Sequence, residues 1–275
     1  MADAITRAFW DRETESPSHT SWLEHPAIRL YTLRQIDPID AEWPVDWFNN
    51  WLKGRRFARG LSIGCGSGPF ERDLIGHDLC DRIDAFDASL QSIRIAQGAA
   101  GDRIHYFVAD FNRCAFRPRS YDAVFFHQSL HHVERLEELL AGVRAWLRPD
   151  GLVYLDEYIG PSRNAWSDEL IAPHRAVFER LPAEMKLTTE LPLPIQENDP
   201  SEAVRSDEIM QVLEQEFEIA AFRGYGGNLL SVIFPNLDRN ALSEEVVDAL
   251  IEEDRAMSAA GPYYAVIVAR PRLRP

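Results

Sequence analysis

The stretch Leu61-Ser62-Ile63-Gly64-Cys65-Gly66-Ser67-Gly68-Pro69-Phe70 reads as a short apolar strand running into a glycine-rich turn and then a helix. Glycines at alternate positions let the backbone come close to a ligand, because no Cβ intervenes and positive φ costs little. Pro69 suits the first turn of a helix, where a missing N–H does no harm. The backbone N–H groups of that turn are free to face a negatively charged part of a ligand. Nucleotide-cofactor chemistry is the first expectation.

Outward from this turn, residues 58–158 alternate strand and helix signals. Strands are expected at 61–64, 83–86, 104–109, 121–127 and 152–158. Helices are expected at 69–79, from Ser89 onward, and at 134–147, where Leu136, Leu139, Leu140, Val143, Trp146 and Leu147 recur at three- and four-residue spacing. Tyr121–His127 is a continuous apolar run of the kind buried in parallel sheets, and Pro149-Asp150-Gly151 reads as a turn. Repeated β-α-β units predict right-handed crossovers and an α/β fold with a mostly parallel sheet.

The flanks read differently. Residues 1–57 hold five of the seven tryptophans and are expected to form a helical N-terminal cap over a domain spanning 58–275. Six prolines between 159 and 206 suit an irregular lid insertion with short helices. Helices at 206–216 and 243–257 and strands at 217–222 and 263–269 complete the pattern.

Length and composition set limits. A chain of 275 residues with 45% hydrophobic and 27% charged residues can bury a substantial core. A net charge of −15 opposes duplex nucleic acid as a partner. No apolar run approaches the roughly 20 residues that span a bilayer, and no hydrophobic leader is visible, so a cytoplasmic location and no membrane partner are expected. Cys65, Cys80 and Cys114 form no CxxC pair, which argues for reduced, structural thiols.

Three details sharpen the glycine turn, which is weak evidence alone. The spacing is G-x-G-x-G, and Pro69 occupies the third-glycine position of the dinucleotide fingerprint G-x-G-x-x-G. Asp87 closes the second strand 23 positions after Gly64, where a carboxylate can accept both ribose hydroxyls. Asp110-Phe111 follows the third strand, placing an acid and a ring to suit the amine and the face of an adenine.

Together these residues resemble the class I S-adenosylmethionine-dependent methyltransferases, with the resemblance covering residues 58–158. It implies a Rossmann-like seven-stranded sheet with an antiparallel C-terminal hairpin, and S-adenosylmethionine as cofactor. The cofactor-binding residues expected are Gly64, Cys65, Gly66, Gly68, Asp87, Ala88, Asp110, Phe111 and His127. Ser62 stands two before Gly64, where the family often carries an acid to hold the cofactor's amino group. That contact is missing, and backbone carbonyls near Gly64 and His127 are left to take the ammonium. Phe9-Trp10-Asp11, Ser21–Pro26, Asp156–Arg163, Asp199–Ser206 and Tyr225-Gly226-Gly227 are similar to a bacterial branch of methyltransferases that often accompanies glycosyltransferase or surface-polysaccharide genes. A sugar or other small hydroxylated acceptor is implied.

Groups acting on that acceptor should lie at the ends of the fourth and fifth strands. His131 and His132 are candidate general bases, and Glu157 is a further catalytic candidate. Tyr158, Arg163 and Arg205 are candidates for holding substrate, the arginines through paired hydrogen bonds to an anionic group. Asp156, Glu157 and His132 match no metal-ligand spacing, so no metal is expected. The alternatives are a protein of this fold with a non-methylating role, and an NAD-dependent oxidoreductase, which Pro69 and the lack of a Tyr-x-x-x-Lys pair disfavour.

Overall fold

The computed structural model describes residues 4–15, 21–38 and 42–272. In chain order the helices are α1 (Ala4–Glu15), α2 (Pro26–Ile36), α3 (Pro44–Leu52), α4 (Pro69–Gly76), α5 (Leu90–Gly98), α6 (Leu136–Trp146), α7 (Asp168–Arg180), α8 (Ile209–Glu216), α9 (Leu230–Ile233) and α10 (Glu244–Ser258). The strands are β1 (Phe57–Ile63), β2 (Cys80–Asp87), β3 (Ile104–Val108), β4 (Tyr121–His127), β5 (Leu147–Tyr158), β6 (Phe217–Gly226) and β7 (Tyr264–Pro271).

They form one seven-stranded sheet in the order β3-β2-β1-β4-β5-β7-β6. β1 to β5 run parallel, while β7 pairs antiparallel with both β5 and β6. The chain reverses its winding between β1 and β4, and ligands of open α/β sheets bind beyond the strand ends at such a point. β4 and β5 are central, which is why their sequences are nearly continuous apolar runs: Val124, Phe125, Phe126, Val153, Tyr154 and Leu155 are fully buried.

Two boundaries differ from expectation. α6 stops at Trp146, and Leu147 already pairs with Tyr121. The register then jumps to Ala123 opposite Leu152, so the Pro149–Gly151 turn is a bulge inside β5 rather than a connection before it.

The segment expected as one cap divides. α1 lies against α5 at the strand ends, with Thr14 Oγ1 2.7 Å from Ser92 Oγ. α2 and α3 instead belong to the sheet's own core, where Phe48 packs on Tyr154 with ring centroids 4.6 Å apart. Residues 1–3, 16–20 and 39–41 of that segment lie outside the described residues. The 159–206 insertion is closed on itself by the Arg163 N–H donating to Ala203 O (2.8 Å) and crosses back to the same end of the sheet, tied there by the Val204 N–H donating to His131 O (3.1 Å).

Candidate active site

The glycine turn is held from inside the protein. Gly64 and Gly68 adopt φ of +73° and +79°. A Cβ on Gly64 would stand 2.5 Å from the Ser129 Cβ, and one on Gly68 2.3 Å from the Tyr106 hydroxyl. Packing alone therefore demands both glycines. Gly66 is different: its φ is +52° and a Cβ there would meet nothing within 4 Å. It lines a crevice of about 280 Å³ with Gly64, Cys65, Ser67, Asp87, Ala88, Phe111 and His127. Past Gly66 and Ser67 this opens into a second hollow of about 550 Å³ between α1 and α5.

Asp87 is the anchor of the turn. One carboxylate oxygen accepts the Gly66 N–H at 2.9 Å, and the other accepts the Ser89 N–H at 2.8 Å. Burial raises its pKa from the ordinary aspartate value, with those N–H donors working against the rise. Each oxygen keeps a lone pair, so the carboxylate can receive two further hydroxyls. Of the remaining residues expected at the cofactor, Gly68 and Asp110 do not line the crevice. Asp110 accepts the Asn112 N–H at 2.9 Å and lies 4.0 Å from the Arg7 guanidinium, at the rim beside Phe111.

The acid missing at position 62 reappears nine residues on. Glu71, 1% exposed, accepts the Ser62 hydroxyl at 2.5 Å, and its second oxygen has no hydrogen-bond partner. Burial lifts this carboxyl to about 7. Sequence reading missed it because α4 carries the acid into the space beneath the turn from the far side.

The loop after β4 forms the opposite wall. His127 stacks on Phe70 (4.7 Å, 7° between planes) and lies 3.3 Å from the Asp156 carboxylate. Gln128 takes φ of +51°, rare for a side-chain-bearing residue, and its N–H donates to Asp156 O at 2.8 Å. Glu157, fully buried, accepts the N–H groups of Ser129 (2.9 Å), Leu130 (2.6 Å) and Tyr158 (2.8 Å), and also contacts His131 Nδ1. Its carboxylate is spent on the shape of this loop and does not reach the crevice. Burial disfavours its charge, yet His131 and the Leu130 and Ser129 N–H groups hold its pKa below the ordinary glutamate value. Burial likewise opposes charge on His131, but Glu157 and Glu202 outweigh it and lift the ring to about 9. His132 shifts downward, through burial and then through repulsion by His131.

Contributions from far along the chain complete the enclosure. Thr6 and Trp10 of α1, and His132 and Ser201, line the crevice. Buried Asp199 joins them, accepting from Thr6 Oγ1 (3.2 Å), Trp10 Nε1 (2.9 Å) and Ser201 Oγ (2.7 Å). Ser201 Oγ lies 3.1 Å from His132 Nδ1. None of Thr6, Trp10, Asp199 or Ser201 was named for the site from sequence. Phe9-Trp10-Asp11 and Asp199–Ser206 stood out only as stretches shared with similar chains, with no pattern to show that they meet.

The arginines lie elsewhere. Arg163 donates to the carbonyls of Asp199 (2.7 Å) and Gln196 (3.4 Å), pinning the insertion. Arg205 is taken up by Glu137, Glu208 and the Glu134 carbonyl on the outer face. Tyr158, whose hydroxyl donates to Pro161 O at 2.9 Å, walls a separate cavity of about 120 Å³ with Trp166, Glu202 and Tyr264.

Residues 61–155 match the family described as Methyltransferase domain. The malonyl-[acyl-carrier protein] O-methyltransferase of Halalkalibacterium halodurans is 26% identical over 106 residues, covering 37% of this chain and 39% of that protein. The chain thus spans about two fifths of the length of that relative. A chain of the complex between the Haloferax volcanii Trm112 methyltransferase activator and a methyltransferase superposes with a TM-score of 0.57 at 14% identity, covering 96% of this chain and 98% of the other. A Listeria monocytogenes protein described as an S-adenosylmethionine-dependent methyltransferase gives 0.53 at 13% identity, covering 90% and 100%. At these identities the likeness to solved structures is one of fold.

Proposed function

We propose that this chain, whose residues 61–155 are a class I S-adenosylmethionine-dependent methyltransferase domain, methylates a hydroxyl of a small acceptor such as a sugar or natural product. S-adenosylmethionine is the cofactor of that domain and supplies a methyl group carried on a sulfonium. The observation that carries the reading is the crevice at the β1/β4 switch point, with a half-buried carboxylate and a ring at one side and a histidine-bearing loop at the other.

The residues present fit an adenosyl group. Open space at Gly66 admits it, Asp87 has lone pairs for ribose hydroxyls, and Phe111 offers a ring face to the base. Thr6, Trp10 and Ser201 roof the crevice and exclude water from the reacting atoms. The loop held by Glu157 presents His131 and His132 as the face against which the acceptor's hydroxyl rests, which makes Glu157 a positioning residue. The adjoining cavity, walled by Tyr158, Trp166 and Tyr264, suits the apolar face of a sugar or another compact ring. Arg163 and Arg205 are used for the protein's own contacts, so an anionic acceptor group is not part of the reading.

The test is transfer of labelled methyl from S-adenosylmethionine to panels of small alcohols, sugars, phenols, amines and thiols, with products located by mass spectrometry. Label on oxygen is expected. Label confined to nitrogen, sulfur or carbon would replace the acceptor class, and tighter binding of NAD than of S-adenosylhomocysteine in calorimetry would overturn the cofactor reading.

A further inference from the structure

His131 and His132 meet Glu202 where the crevice adjoins the aromatic cavity. One ring nitrogen of each histidine and a Glu202 carboxylate oxygen lie within 4.8 Å of one another. His131 Nε2 is 3.7 Å from one Glu202 oxygen, and His132 Nε2 is 3.7 Å from the other. Ligand atoms around a tetrahedral zinc ion at its usual bond lengths are roughly 3.4 Å apart. Each of the two nitrogen–oxygen distances stands within a few tenths of an ångström of that spacing.

What separates this cluster from a chance meeting of side chains is how both rings are held from behind. His131 Nδ1 is bonded to the buried Glu157 carboxylate. His132 Nδ1 is bonded to Ser201 Oγ, whose own hydrogen goes to buried Asp199. A ring that gives its Nδ1 hydrogen backward turns the Nε2 lone pair forward, and metal-binding histidines are oriented by such carboxylate and hydroxyl partners. Both rings are nearly buried (6% and 7% exposed), so their orientation is fixed by packing as well. Three carboxylates, Glu157, Asp199 and Glu202, face two imidazoles here, with no Lys or Arg among the ion-pair partners described for these groups. The local charge favours a cation. Two imidazole nitrogens and one carboxylate are a donor set for zinc and its first-row neighbours, not for magnesium or calcium, which take oxygen.

We propose that His131, His132 and Glu202 bind one divalent cation of the zinc class at the junction of the cofactor crevice and the aromatic cavity. His132 lines the first space and Glu202 the second, so the remaining coordination positions face both. Resting on the methyltransferase reading, the ion's further role is to orient and polarise the acceptor's oxygen, as a Lewis acid does. On binding, the ion replaces any proton on the two Nε2 atoms, while the Nδ1 hydrogens stay on Glu157 and Ser201.

The experiment is titration of the chelator-treated full chain with zinc chloride by calorimetry, and with cobalt(II), read by the visible bands of tetrahedral coordination. One ion per chain is expected, and magnesium should give no signal. Glu202→Ala, at a partly exposed position outside the cofactor crevice, should weaken zinc binding about tenfold or more and leave S-adenosylhomocysteine affinity within about twofold, which also reports that the fold is intact. His132→Ala should abolish the cobalt bands. Absence of zinc binding, or binding that Glu202→Ala leaves unchanged, overturns the proposal. Failure of zinc binding alongside intact cofactor binding and methyl transfer sinks the ion alone. Zinc binding in a chain that takes up no cofactor sinks the methyltransferase reading alone.

Discussion

At the scale of single residues, the glycine turn separates two duties that its sequence merges. Gly64 and Gly66 both take positive φ, but only Gly64 has protein behind it. Gly64→Ala pushes a methyl onto Ser129 and should cost clearly more stability than Gly66→Ala, which pays mainly the left-handed backbone penalty of about 1–2 kcal/mol. Gly66→Ala should in turn lose more S-adenosylhomocysteine affinity; denaturant midpoints and calorimetry read the two quantities, and equal losses in both would refute the division. Asp87→Ala removes the acceptor of two backbone N–H groups and, on the proposed cofactor placement, of the ribose hydroxyls, and should weaken cofactor binding by about 1–3 kcal/mol. Glu71 gives a pH signature. Its folded pKa, about 7, lies above the ordinary value of 4.5, so the native state keeps a proton that the unfolded chain has lost. Stability from this group is complete at low pH and falls by about 3 kcal/mol as pH rises from about 4.5 through 7. Ser62, His127, Arg72, Cys65 and Tyr106 surround it. Glu71→Gln should flatten that fall, measured as urea midpoints at pH 5 and pH 8; an identical fall in the variant would place its origin elsewhere.

Elements enter where one side chain joins pieces distant in sequence. Asp199 links α1 to the insertion through Thr6, Trp10 and Ser201. Asp199→Ala leaves a half-buried indole N–H and two hydroxyls without their acceptor, a cost of about 1–3 kcal/mol for each group that stays buried. α1 is also held to α5 by Thr14 against Ser92 and by Asp11, which accepts from Ser89 Oγ and the Gln91 N–H, so the expected result is partial and local: faster amide exchange across Ala4–Glu15, with β4 and β5 unchanged. Uniform acceleration throughout the sheet would mean that α1 is part of the main cooperative unit. Asp254 does comparable work at the other edge, accepting from Gly227, Leu229 and Leu230 N–H and from the Tyr31 hydroxyl. It fixes the start of α9 and locks α2 against α10.

For the whole molecule, the enclosure built by α1, the β4 loop and the 199–203 segment predicts that cofactor binding orders stretches joined by contacts 189 and 193 residues apart in sequence. S-adenosylhomocysteine at about 100 times its Kd should add about 2.7 kcal/mol to stability and slow exchange in both Ala4–Glu15 and 199–203; protection of only one would show that the roof does not close as a unit. Much of this molecule was legible beforehand. Apolar runs and helical spacing gave all seven strands of the sheet, because buried parallel strands leave continuous Val, Ile, Leu and Phe and the edge strands leave shorter apolar stretches between turn and helix signals. The glycine turn, Asp87 and Phe111 were legible too, since local backbone geometry and strand ends fix them within a few residues. Three-dimensional folding alone decided the rest. It brought Glu71 beneath Ser62, Thr6 and Trp10 onto Asp199, and Glu202 to the two histidines, and it turned Arg205 outward. Apart from Glu71, which returns to Ser62 after nine residues, those meetings depend on where the chain comes back after 68 to 193 residues, and no periodicity in a sequence records where two distant segments touch.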